Sequence, residues 1–107
     1  MLYAITLTYI ESSDAINAVL DTHKNWLAHH LSTERILCAG PLAHGGGGFI
    51  LAHAATLSEI EEMLADDPFV AEGLVRTDIL AIQPALRATN FPGDWAEGAK
   101  PIAPGQG

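Results

Sequence analysis

Basic side chains are scarce in this sequence: Lys and Arg number 5 against 13 Asp and Glu in 107 residues, for a formal net charge of −8. A surface so balanced repels phosphates and anionic lipid, and protonating all five histidines leaves the charge negative. Nucleic-acid and membrane-surface binding are therefore not expected. Cysteine is nearly absent. The one thiol, Cys38, has no partner in the chain, which excludes an internal disulfide framework and fits a reducing, cytoplasmic setting. No apolar run approaches the ~18 residues that span a bilayer. The first ten residues, MLYAITLTYI, lack the basic n-region and small-residue cleavage site of a secretion signal. A phosphate-binding loop is missing too, because the glycines at 45–48 run into Phe49 rather than into Lys-Ser/Thr. No serine stands in a nucleophile elbow. What is present is 49% hydrophobic residues. A chain of this length buries roughly 60–68% of its unfolded surface, enough for one core without staples. These features describe a small, acidic, soluble domain.

The apolar residues set out the elements. In residues 2–10, Tyr3, Ile5, Leu7 and Tyr9 fall on one face of a strand with period two. Glu11-Ser12-Ser13-Asp14 supplies a helix N-cap and a carboxylate for the positive end of the helix dipole. Ile16, Val19, Leu20, His23, Trp26, Leu27 and Leu31 then recur at steps of three and four, which predicts a helix over 14–31. On its other side stand Asn17, Asp21, Lys24 and Asn25. Residues 35–42 read as a short edge or bulged strand, broken by Gly40-Pro41, and residues 49–54 as its hairpin partner across the glycine run. Thr56 and Glu59 form a capping box that opens a second helix, which ends at Asp67-Pro68. A turn from Phe69 to Gly73 leads to a last strand over 74–83.

The order β-α-β-β-α-β is the ferredoxin-like plan of the α+β class, a four-stranded antiparallel sheet with both helices on one face. Apolar residues occur on both faces of the strands, so the uncovered face needs a partner, and a second copy of the same chain is expected there. Residues 1–84 are read as the folded domain. Residues 85–107 are read as a Gly/Pro-rich tail with two open alternatives: disorder, as its composition suggests, or docking on the body or a partner subunit through Phe91, Trp95 and Ile102.

Histidine and carboxylate are the side chains left to carry chemistry. His23 interrupts the helix's inward stripe, where another leucine would pack at lower cost. Imidazole changes charge near neutrality, which suits proton transfer. The plainer alternative is a core histidine with one backbone hydrogen bond. Asp67 has a plain alternative as well, an Asx turn before proline. Both helices cover the same sheet face, however, so the two side chains are within range of meeting. A carboxylate on one imidazole nitrogen makes the other a better base. His29 and His30 complement the negative end of the first helix, and His44 belongs to the glycine loop. A metal site would need three ligands such as His23, His53 and Asp67, and no compact spacing supports one, so neither metal nor cofactor is expected. Cys38 reads as a small buried hydrophobe.

His23 followed by Trp26-Leu27, then Leu37-Cys38-Ala39-Gly40-Pro41, then Asp67-Pro68-Phe69 and Gly73-Leu74, resembles the YciI-like family over residues 1–84. The resemblance implies a ferredoxin-like protomer that pairs as a dimeric α+β barrel. It also implies a cleft with a paired His and Asp, here His23 and Asp67. One characterised relative is a dehydrochlorinase of a chlorinated hydroxyhydroquinone. The expected function is cofactor-free acid–base chemistry, of lyase or isomerase type, on a small organic molecule. His23 would move the proton and Asp67 would orient it. Tyr9, Trp26 and Phe69 are expected at the substrate, with Gly40 and Pro41 of the Ala-Gly-Pro motif. Two other readings stand beside it: a non-catalytic small-molecule-binding module and a cofactor-independent oxygenase.

Overall fold

The computed structural model describes residues 1–105. Strand β1 (Leu2–Tyr9) enters helix α1 (Ser13–Ser32), followed by β2 (Ile36–Pro41), β3 (Gly47–His53), α2 (Leu57–Ala65), α3 (Pro68–Ala71) and β4 (Val75–Ile82). The sheet is antiparallel with strand order β2-β3-β1-β4, the ferredoxin-like α+β arrangement. Ser12 caps α1 by accepting a hydrogen bond from the Ala15 N–H at 3.2 Å. Thr56 accepts from the Glu59 N–H at 3.3 Å, while the Glu59 carboxylate accepts from the Ala55 N–H at 3.0 Å. The capping box therefore closes one residue farther out than the usual reciprocal pair.

The core lies between the sheet and the helices. Tyr3, Ile5, Ile36, Ile50, Ile60 and Phe69 are its most completely buried large apolar side chains. Each contributes about 1.5–3 kcal/mol through apolar burial. Between β2 and β3, Leu42 donates to the Gly47 carbonyl at 2.9 Å. Gly45 and Gly46 take φ of 83° and 85°, values that favour glycine. Gly47 is required for another reason: a Cβ there would overlap the carbonyl oxygen of Leu7 on β1.

Three local expectations change. The turn expected over Phe69–Gly73 begins with the short helix α3, because Pro68 occupies its first position, where a missing N–H costs nothing. Asp67 thus opens a helix as its N-cap instead of closing the one before. Cys38 is exposed rather than buried. The register of β2 shifts between Ile36 and Cys38, which sets Cys38 opposite Leu51 on the sheet face without helices.

Beyond Pro84 the chain forms a two-stranded parallel pair, β5 (Leu86–Ala88) and β6 (Lys100–Ile102), around a single 3-10 turn at Gly93–Trp95. The Arg87 guanidinium ties the segment by donating to the Phe91 carbonyl at 2.9 Å, and the Phe91 and Trp95 rings meet edge-on. The last two residues of the expected tail, 106 and 107, lie outside the described residues. The molecule measures 49 × 28 × 22 Å. Among the described residues no helix is long and apolar enough to cross a membrane.

Candidate functional site

Two side chains 44 positions apart in sequence meet beneath α1. His23 belongs to the buried stripe of that helix, with Ile16 and Trp26. Asp67 stands at the start of α3, where its Oδ1 accepts from the Phe69 N–H at 3.1 Å. The same oxygen accepts from His23 Nδ1 at 2.7 Å, a short, charge-assisted bond. Asp67 is 0% exposed and His23 8%. A carboxylate oxygen can only accept, so the bond places a proton on Nδ1, and in a neutral imidazole the lone pair then falls on Nε2. Asp67 Oδ2 is buried without a hydrogen-bond partner among the described residues.

Aromatic rings hold the imidazole in plane. Phe69 stacks on it with centroids 3.9 Å apart and planes 9° from parallel. Tyr9 meets Phe69 edge-on at 6.0 Å. Trp26 stacks more loosely on the His23 ring, at 6.0 Å and 25°. Phe69 therefore acts twice, through its N–H on Asp67 and its ring on His23.

His23 forms part of the wall of a cleft of about 340 Å³ between α1 and the β2–β3 side of the sheet. Its lining is mostly apolar and includes Tyr9, Leu20, Leu27, Pro41 and Phe49. The volume falls at the lower end of the range for small-molecule sites, roughly 300–1,000 Å³. Of the residues expected at the substrate, Tyr9, Gly40 and Pro41 line this cleft. Trp26 and Phe69 pack against the imidazole instead, and Asp67 reaches the cleft only through His23. Lys24 also lines the cleft. The helical period assigns it to the outer face, and its one clue is that it directly follows His23 at the edge of the apolar stripe.

A second cleft, of about 350 Å³, lies where Asp94 and Glu97 approach Met1, Arg35 and His53. It shares no wall residue with the first and holds no comparable hydrogen-bonded pair. Of these two clefts, the hydrogen-bonded His–Asp pair borders the first. His53 lines this second cleft, so His23, His53 and Asp67 do not gather as a ligand set. Among the described residues no group of three or more His, Cys, Asp or Glu side chains is placed to hold a metal ion. Farther along α1, burial lowers the His30 pKa below its ordinary 6.5; His29 and Arg35 add to that, and Asp66 opposes it.

Comparison with known proteins adds to this geometry. A family model described as the YCII-related domain matches residues 1–82. No curated protein matches the chain. Among solved structures, the fold is similar to that of 5-chloro-2-hydroxyhydroquinone dehydrochlorinase from Burkholderia phenoliruptrix, determined with 2,5-dihydroxybenzoquinone. The two share 22% sequence identity at a TM-score of 0.60, over 78% of this chain and 95% of the other.

Proposed function

This chain belongs to the YCII-related domain family, and from that membership and the geometry of the cleft we propose that it is a cofactor-free acid–base enzyme, of lyase or isomerase type, acting on a small organic molecule. The observation that carries the reading is the buried 2.7 Å bond from His23 Nδ1 to Asp67 in the wall of an apolar cleft. His23 Nε2 takes a proton from a substrate carbon or hydroxyl. The electron pair left behind forms a new π bond, and the leaving group departs with its own pair. The imidazolium so formed lies against the Asp67 carboxylate, which stabilises it, and it returns the proton to product or water. No electron sink or oxidant enters the balance. Dehydrochlorination, the reaction named for the similar structure, is one member of this class.

Chloride release from 5-chloro-2-hydroxyhydroquinone, with proton exchange in D₂O for a panel of related hydroquinones and lactones, tests the proposal. Asp67→Asn keeps the shape and the acceptor for Phe69 while removing the charge; His23→Gln removes the base. Each is expected to slow turnover at least tenfold. Full activity in both variants would overturn the assignment.

The N-cap bond from Asp67 to Phe69 gives that carboxylate a structural task of its own, and this favours a second reading, a binding module that turns nothing over. Binding of the same compounds at His23 without exchange or release would select it. We further infer that a second copy of the chain covers the open sheet face. Cys38, Leu51, Ala4 and Leu80 form one cross-strand row there, and Leu80 is 64% exposed.

A further inference from the structure

We propose that Lys24 makes the His23 cleft selective for aromatic molecules that carry one anionic oxygen group, a carboxylate or a phenolate. The inference rests on the reading of this cleft as the substrate site and adds the chemical class of what enters it. The chain has only 5 Lys and Arg against 13 acids, so most of its surface repels an organic anion. Lys24 is the sole Lys or Arg in the cleft lining, and no Asp or Glu lines the cleft beside it. It is also free of internal partners. Arg76 pairs with Asp78 and Arg87 donates to backbone carbonyls, whereas no ion pair or hydrogen bond occupies the Lys24 ammonium among the described residues. An incoming anion would therefore displace no acid.

Position supports the same conclusion. Lys24 follows His23 on α1, the imidazole on the buried side and the lysine at the exposed rim. The walls beside them are apolar, with Leu20, Leu27 and Pro41, and Tyr9 adds an aromatic ring. A charge at the edge of such walls is less screened than one on an open surface. A ring carrying an anionic oxygen satisfies both halves at once: the oxygen meets the ammonium and the ring lies along the apolar wall toward His23. A neutral ring would gain only the second.

The test uses 4-hydroxybenzoate and its neutral counterpart 4-hydroxybenzamide as probes, titrated by NMR with the His23 and Tyr9 ring signals as reporters of cleft binding. In the unaltered protein the carboxylate is expected to bind about tenfold tighter than the amide. Lys24→Met should erase that preference while leaving amide binding unchanged, and Lys24→Arg should restore it. Equal affinities in the unaltered protein, or a preference that survives Lys24→Met, would overturn the role of Lys24 and leave the cleft standing. Failure of both probes to move the His23 and Tyr9 signals would overturn the ligand-site reading along with it.

Discussion

His23, Asp67 and Phe69 show how much chemistry three side chains gain from one arrangement. The carboxylate sets the imidazole tautomer, the phenyl ring sets its plane, and the Phe69 N–H shares the carboxylate oxygen that His23 uses. His30, two turns farther along the helix, has a different environment. Burial lowers its pKa, the neighbouring His29 and Arg35 add to this, and Asp66 acts against it. The unfolded chain takes up this proton near 6.5, whereas the folded chain does so only at lower pH. Between those values the unfolded state binds more protons, so stability rises with pH across the window. Acidification from pH 7 is therefore expected to lower the melting temperature through and below 6.5, levelling off beneath the folded-state value. His30→Gln should flatten that part of the profile in thermal melts; an unchanged slope would refute the assignment. Of these residues, His23 was legible as a polar interruption in an apolar stripe. Lys24 was not, because helical periodicity separates inside from outside and says nothing of which outer residues border a cleft.

At the scale of elements, the hairpin and the short third helix decide the shape of the site. Gly47 lets β3 pass close to the Leu7 carbonyl before Gly48 and Phe49 reach the cleft. Gly47→Ala puts a methyl group into that oxygen, so it is expected to destabilise the protein by about 1–3 kcal/mol in denaturant melts. A stability equal to that of the unaltered protein would show that the strands separate at no cost. The sequence marked 45–48 as a loose tip, yet Gly47 and Gly48 are strand residues and only Gly45 and Gly46 turn with positive φ. Glycine composition alone cannot separate a turn from a close approach. Helix α3 was hidden for a similar reason. Asp-Pro reads as a stop from the N-terminal side and as a start from the C-terminal side. The local sequence permits both, and α3 shows that the second prevails here.

The whole molecule is a sheet with helices on one face only, and its other face carries Phe49 at 36%, Ile82 at 40% and Leu80 at 64% exposure. If a second copy covers that face, light scattering should report twice the mass of the chain. Leu80→Lys, which sets a charge in the cross-strand row with Ala4 and Leu51, should shift the population to monomer with little change in circular dichroism. A monomeric unaltered protein would remove the inference. The sequence by itself determined the order of the six principal elements, the inward stripe with its histidine, and the net acidic charge. Those are properties of local period and of sums over the chain. The tertiary structure alone decided that His23 meets Asp67 across 44 positions, that the ring of Phe69 stacks on the imidazole, and that Lys24 stands at the rim of the cleft. Each of these depends on how α1 packs against α3 and the sheet edge, and neither local period nor composition carries that information.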